Sequence, residues 1–387
     1  MHKLWLTLAQ VIAGAAIALA ALFALDRMIP GLLPDKPGSL TIHQVAESGS
    51  AVQVASFADA AQKSLGSVVN IFTSKQVRSP TNPMMNDPFF RRFFGLPSPE
   101  GRTQRVANLG SGVIVSAEGY ILTNNHVIEA ADEIQVALAD GRTLDATLVG
   151  TDPETDIAVL RVNTENLSPI TFAQPDNVRI GDMVLAIGNP FGVGQTVTMG
   201  IVSALGRSHL GINTFESYIQ TDAAINPGNS GGALVNSAGH LIGLNTAIFS
   251  RSGGNLGIGF AIPVTILRQV MDEIVRNGAV VRGWVGIEVQ DVTAEIAESF
   301  NLKDTQGALI AGVLRGGPAD RSGIRPGDIL LAVDNQPVRD SSSLLMLISA
   351  LKPGQSAELR LLRERAEMRL DVKVDRRPKT LQRAQPE

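Results

Sequence analysis

At 387 residues the chain is too long for one hydrophobic core and has room for two or three domains. A formal charge of −4, with no basic patch interleaved with aromatics, gives no basis for nucleic-acid binding, and the absence of cysteine excludes disulfides, a cysteine nucleophile and thiolate-held metal. Five scattered histidines argue against a metal site, no cofactor is expected, and 38 glycines with 20 prolines fit a turn-rich β protein.

From Leu4 to Leu25 the chain is apolar except for Thr7 and Gln10, about the ~20 residues that cross a bilayer as a helix. Triplets such as Ala18-Leu-Ala20 offer a cleaved signal peptide as the alternative, but the run continues past them to Asp26-Arg27. An uncleaved transmembrane anchor over residues 1–27 is expected, with Lys3 holding the N-terminus in the cytoplasm. Residues 28–50 are rich in Pro, Gly and Ser and read as a flexible linker. Ser56-Phe-Ala-Asp59 has the form of a capping box opening a short helix to about Leu65, and Val68 to Thr73 follows as the first strand. Residues 75–106 contain five prolines and four phenylalanines, which predicts a long loop with exposed aromatics rather than a strand.

Leu109-Gly-Ser-Gly-Val-Ile-Val-Ser reads as a strand start and not as a nucleotide loop, because no helix follows its glycines. From there to about Val162, and again from Ile170 to Ala261, short Val/Ile/Leu runs alternate with turn signals such as Ala139-Asp-Gly141 and Ser237-Ala-Gly239. That rhythm predicts two successive β-barrels within a domain spanning residues 51–278. Three residues with complementary chemistry punctuate it. His126 ends the strand-like run Tyr120-Ile-Leu-Thr-Asn-Asn-His126, Asp156 precedes the run Ile-Ala-Val-Leu, and Ser230 lies in Gly228-Asn229-Ser230-Gly-Gly. Taken alone, the last motif could be a surface turn and His126 a surface histidine. Together, and in the order His, Asp, Ser, they suit acyl transfer. Ser230 is the candidate nucleophile, His126 the base, and Asp156 the group that holds the imidazole, while the amides across Gly228, Asn229 and Ser230 have the offset of an oxyanion hole. His2, His43, His209 and His240 have no comparable context. The segments Gly188 to Gly194, Ser203 to Asn213 and Ala247 to Gly257 read as loops. Pro263 to Asn277 is a helix by its spacing of Val264, Leu267, Val270, Met271 and Ile274, with Pro at its first position and Gly278 past its end.

The segments Thr123-Asn-Asn-His126-Val, Thr155-Asp156-Ile-Ala-Val-Leu and Gly228-Asn-Ser230-Gly-Gly-Ala-Leu-Val resemble the HtrA/Deg family of serine proteases. Gly323-Ile-Arg-Pro-Gly-Asp328-Ile-Leu resembles that family's PDZ domain, and the similarity covers roughly residues 57 to 375. It implies a mainly β protein, a chymotrypsin-like double β-barrel followed by one α+β PDZ domain over residues 279–375, with a polar tail at 376–387. It further implies that Ile225, Asn245, Thr246, Ala247 and Ile248 line the pocket before the scissile bond, which then takes a small aliphatic side chain. Trp284, Val285, Gly286 and Ile287 become the carboxylate-binding loop, Ile287 to Gln290 the strand on which a ligand adds, and Ser342 to Leu351 the opposing helix. Arg207 matches a regulatory arginine. An anchor with a single PDZ domain is similar to the DegS/AlgW type, and the Phe-rich loop to the soluble quality-control branch. The implied partners are protein substrates, C-terminal peptides of outer-membrane proteins and two further copies in a homotrimer. The implied place is the bacterial inner membrane, single-pass, with catalytic and PDZ domains in the periplasm, and the implied output is cleavage of a transmembrane anti-sigma factor. A broad-specificity protease-chaperone and a non-catalytic PDZ receptor are the alternatives.

Overall fold

The computed structural model describes residues 56–78, 103–129, 131–174, 177–189, 194–248 and 255–378. The expected anchor, the linker and most of the Phe-rich loop lie outside the described residues. Among those described, no helix is long and apolar enough to cross a membrane.

The chain enters through α1 (Ala58–Leu65). The expected capping box does not form, because the Ser56 hydroxyl accepts from the Ala58 amide, two residues on, and Phe57 occupies the cap without a side-chain bond. Ser64 instead ties the helix down, its hydroxyl lying within reach of the Ala60 and Gly239 carbonyls. Seven strands follow in one antiparallel sheet: β1 (Val68–Arg78), β2 (Thr103–Ile114), β3 (Tyr120–Thr123), β4 (Glu133–Ala137), β5 (Thr143–Asp145), β6 (Thr147–Asp152) and β7 (Ile157–Arg161). Their order across the sheet is β5-β4-β1-β2-β3-β7-β6. The ladder between β1 and β2 runs unbroken from Val68 opposite Val113 to Arg78 opposite Thr103. The ends of the segment read as loop are therefore strand, and only its centre falls outside the description.

The second half of the domain is a closed barrel in the order β10-β13-β12-β11-β8-β9. It comprises β8 (Met183–Gly188), β9 (Thr196–Arg207), β10 (Tyr218–Thr221), β11 (Ala233–Asn236), β12 (Leu241–Ile248) and β13 (Gly259–Pro263). Residues 203–207, expected in a loop, close this barrel as the end of β9. Each half has its own buried core. Val69, Ile71, Ile121 and Leu160 fill the first, and Val184, Val202, Ile219 and Leu234 the second.

Helix α2 (Val264–Asn277) buries Val264, Leu267, Val270, Met271 and Ile274. Pro263 sits one position earlier than expected, as the cap with ψ 151°, because it is still the last residue of β13. Gly278 ends the helix in the left-handed region, its amide on the Ile274 carbonyl, as the sequence requires. The C-terminal domain contains β14 (Gly283–Trp284), β15 (Ile287–Asp291), α3 (Ala294–Phe300), β16 (Ala308–Val313), β17 (Ile329–Val333), β18 (Gln336–Pro337), α4 (Ser341–Ala350), β19 (Ser356–Arg363), β20 (Ala366–Lys373) and β21 (Asp375–Arg376). Its main sheet runs β15-β16-β17-β19-β20, so β15 is an edge strand. β14 pairs with β21, which draws the start of the supposed polar tail into the fold. Asp328 of the Gly-Asp motif is buried and receives both Nε and an Nη of Arg363, a pairing that knots the domain internally.

Candidate active site

His126 lies in a single helical turn, Asn125–Ile128, directly after β3, and Asp156 precedes β7, which pairs with β3. The pairing of those strands brings the two residues together. His126 Nδ1 is 2.7 Å from Asp156 Oδ2, and the His126 amide donates to Asp156 Oδ1 at 2.9 Å. Asp156 holds a left-handed backbone (φ 60°), a conformation that an L residue keeps only when its surroundings impose it. Here the Asn125 amide and the Asn124 side chain both donate to its carbonyl.

Ser230 comes from the second barrel, on the turn before β11. Its hydroxyl donates to the Thr246 carbonyl at 3.1 Å, and no hydrogen bond joins it to His126. The two halves of the site meet at Thr246. The register of β12 against β13 slips between Asn245 and Ala247, and this bulge turns the Thr246 hydroxyl onto Asp156 Oδ2 at 3.0 Å. The same hydroxyl accepts from Asn124 Nδ2. Thus Thr246 contacts both Asp156 and Ser230.

The turn around Ser230 is fixed from both sides. Gly231 has φ 82°, and a Cβ there would collide with the Ser111 carbonyl and the Thr123 hydroxyl, so only glycine fits. The Ser111 hydroxyl donates to the Gly228 carbonyl at 2.6 Å and accepts from the Asn189 amide at 2.9 Å. The Asn229 amide is committed to the Asn226 carbonyl, which removes it from the expected oxyanion set. The amides of Gly228 and Ser230 donate to no acceptor among the described residues. Ile225 is buried beside Gly259, whose missing Cβ makes room for it, and Ala247 and Ile248 are half-buried nearby. Asn245 does not line this space, contrary to expectation. It is fully buried, and its side-chain amide donates to the Ala233 and Ile187 carbonyls. The Thr246 side chain is likewise turned to Asp156 instead of outward.

Arg207, expected to regulate, donates its Nε–H to the Gln220 side chain within the barrel. His209 makes the contact across domains. Its Nε2 lies 3.0 Å from Asp291 Oδ2 at the end of β15 and 3.2 Å from the hydroxyls of Ser341 and Ser342 at the start of α4, while Nδ1 meets Ser208. Burial alone would raise the Asp291 carboxyl, but hydrogen bonds from Ser341 and the neighbouring His209 hold it below the usual carboxylate range. The loop behind His209 is braced by Glu216, a buried carboxylate that accepts the amides of Leu210, Ile212 and Asn213, and by Asn213 on the Tyr218 hydroxyl.

A second contact between the domains is buried. Arg282 donates to Asp152 and Glu154, Arg377 donates to Glu154 at 2.8 Å, and both guanidiniums lie against the Phe215 ring. Asp152 and Glu154 stand four and two residues before Asp156. In the C-terminal domain the Val285 carbonyl accepts from Ala319 and the Gly286 carbonyl from Leu314, while the Val285 and Gly286 amides have no described acceptor. Gly286 reaches φ 77° there. Consecutive amides left without an acceptor are what an anion-binding concavity is built from.

Sequence reasoning missed Ser111, Asn124, the Thr246 hydroxyl and His209. Only Ser111 had a visible signal, a serine between two glycines in the strand facing the nucleophile turn.

A family model for a trypsin-like peptidase domain matches residues 110–244, and one for a PDZ domain matches residues 283–374. The chain is 52% identical to the structure of "HtrA-type protease AlgW with decapeptide", with TM-score 0.71, covering 84% of this chain and 99% of that one. It belongs to the HtrA family of serine proteases. A further structure of this family's fold, a serine endoprotease from Yersinia pestis, is 37% identical with TM-score 0.61, covering 84% of this chain and all of that one. Among curated relatives, a "Probable periplasmic serine endoprotease DegP-like" of Chlamydia pneumoniae is 45% identical over 295 residues, 76% of this chain. One of the same description from Halomonas elongata is 43% identical over 344 residues, 85% of this chain and 72% of the relative. This HtrA chain spans about 60% of the length of the chlamydial relative. Its C-terminal domain is a single PDZ domain, in which the start of α4 is tied to the end of β15.

Proposed function

We propose that this chain is an ATP-independent serine endopeptidase whose PDZ domain regulates it. The carrying observation is the chain of contacts from His126 through Asp156 and Thr246 to Ser230, beside two uncommitted amides. Ser230 Oγ attacks the scissile carbonyl after turning from the Thr246 carbonyl toward His126 Nε2, which accepts its proton and later protonates the leaving amine. Asp156 keeps the Nδ1–H tautomer and stabilises the imidazolium, and the Gly228 and Ser230 amides receive the charge that develops on oxygen. Hydrogen bonds of this kind commonly tighten only when substrate is present. Ile225, Ala247 and Ile248 form an apolar wall with no acidic residue, which favours Val or Ala before the cleaved bond over Lys or Arg.

The peptide complexes of AlgW support peptide binding, which we assign to free C-termini at the PDZ loop Trp284–Ile287, and the periplasmic naming of the relatives supports a periplasmic location, with the apolar run Leu4 to Leu25 as the proposed inner-membrane anchor. Envelope-stress signalling through cleavage of a transmembrane anti-sigma factor is the output we assign. A homotrimer is supported by an apolar stripe on the outer face of β9, where Val197, Met199, Ile201 and Leu205 stand exposed at alternate positions. The test is labelling with a fluorophosphonate followed by sequencing of the cleavage sites in a denatured protein. Modification of Ser230 and cuts after Val or Ala are expected; an unlabelled Ser230 or cuts after Lys and Arg would reject the assignment.

A further inference from the structure

The position of His209 has a consequence for which peptides the PDZ groove can accommodate. Asp291 closes β15 and Ser341 opens α4, and the Asp291 carboxylate bridges them by accepting the Ser341 amide at 2.9 Å and its hydroxyl at 2.7 Å. His209 lies on this bridge from outside, with contacts to Asp291, Ser341 and Ser342. The three elements therefore meet at the end of the groove opposite the Trp284–Ile287 loop. A ligand strand that places its carboxylate on that loop and runs antiparallel along β15 advances ~3.3 Å per residue. With its last residue opposite Ile287, its third-last lies opposite Val289 and its fifth-last opposite Asp291. A tripeptide stops short of His209, whereas a longer peptide runs into it.

His209 also has room to move: beside it a cleft of about 470 Å³ opens between Gly206, Ser208 and Glu216 on one side and Asp340, Ser342 and Met346 on the other. The chain behind it leads through the braced segment ending at Tyr218 into β10, and β10 leads into the turn that carries Ser230. A change at His209 is thus coupled by a short covalent path to the catalytic turn.

We infer that His209 is the point at which the protease reads the length of a PDZ-bound peptide: a ligand of five or more residues takes Asp291 and Ser341 from His209 and frees its loop, and one of three residues leaves the contact in place. The inference rests on the reading of this groove as a receptor for free C-termini. It assigns to the β15–α4 mouth a subsite that discriminates by length.

The test titrates the full chain with two acetylated probes, Leu-Val-Leu with a free carboxylate and the same tripeptide preceded by seven alanines, using wild type, His209→Ala and Asp291→Asn. In wild type the longer probe competes with His209. Removing the imidazole should therefore tighten the longer probe by about two- to five-fold, the range expected for one exposed side-chain contact, with the tripeptide unchanged. Asp291→Asn should act in the same direction, and cleavage of casein by His209→Ala without peptide should exceed that by wild type. Equal effects on the two probes, or none on either, overturn the length reading while leaving the groove assignment standing. Failure of both probes to bind wild type overturns the groove assignment and the inference with it.

Discussion

Two polar contacts between the protease and PDZ domains are built on opposite terms. At the Arg282 joint the side chains of Arg282 and Asp152 are 9% and 4% exposed, two cations face two carboxylates, and Phe215 closes the stack. At the His209 contact the ring and Asp291 are 43% and 47% exposed, and their partners are serine hydroxyls. A buried set of charges is costly to separate because each member left behind is desolvated and unpaired, whereas an exposed pair exchanges readily with water. The comparison teaches a division of labour. The first contact fixes where the PDZ domain sits, and the second can break without loosening it.

Neither contact performs the chemistry, so the largest effect is expected elsewhere. Ser230→Ala should lower turnover by about 10⁴-fold or more while leaving peptide binding at the PDZ groove intact, since residues acting as one nucleophilic unit fail together. Comparable turnover in the variant would remove the triad from the account. The buried joint is probed next. Arg282→Met leaves Asp152 without its partner and Glu154 with Arg377 alone, and should cost about 3–5 kcal/mol in denaturant unfolding. A loss under ~1 kcal/mol would erase the contrast between the two contacts.

Two substitutions test the hydrogen bonds that cross between the seven-stranded sheet and the closed barrel. Ser111→Ala removes the hydrogen bond to the Gly228 carbonyl, and Thr246→Val removes the one to Asp156. Each should lower kcat by roughly ten-fold with little change in KM, less than the ~10²–10³ that follows deletion of a direct oxyanion donor. An effect confined to KM would show that these hydroxyls position substrate instead. The smallest effect belongs to the exposed contact: His209→Ala should change unfolding stability by no more than about 1 kcal/mol.

How far the sequence foretells this arrangement depends on how local each signal is. The strands, the helix at Val264–Asn277 and the left-handed Gly278 follow from patterns a few residues long. His126, Asp156 and Ser230 could be named because their side-chain chemistry and chain order are themselves informative. The Asn245 and Thr246 side chains were misplaced because a one-residue bulge decides which way each points, and no pattern in Leu241–Ile248 announces it. The capping box at Ser56 failed to a competing bond two residues on. Arg282 and Asp152 are 130 positions apart, and His209 likewise reaches Asp291 in the other domain. Such pairs exist only once both domains have folded. Resemblance pointed to Arg207, whereas the contact of His209 with Asp291 has no local signal in the sequence.

The central claim is that a free C-terminus at the PDZ loop controls hydrolysis at Ser230. Its most direct test is the initial rate of cleavage of one protein substrate by the full chain, measured with a C-terminal decapeptide as its free acid and as its amide. On the proposed reading the Val285 and Gly286 amides receive the ligand's negative charge, and only a ligand that favours the competent state shifts the population. The account predicts stimulation by the acid and none by the amide; equal stimulation by both, or by neither, would contradict it.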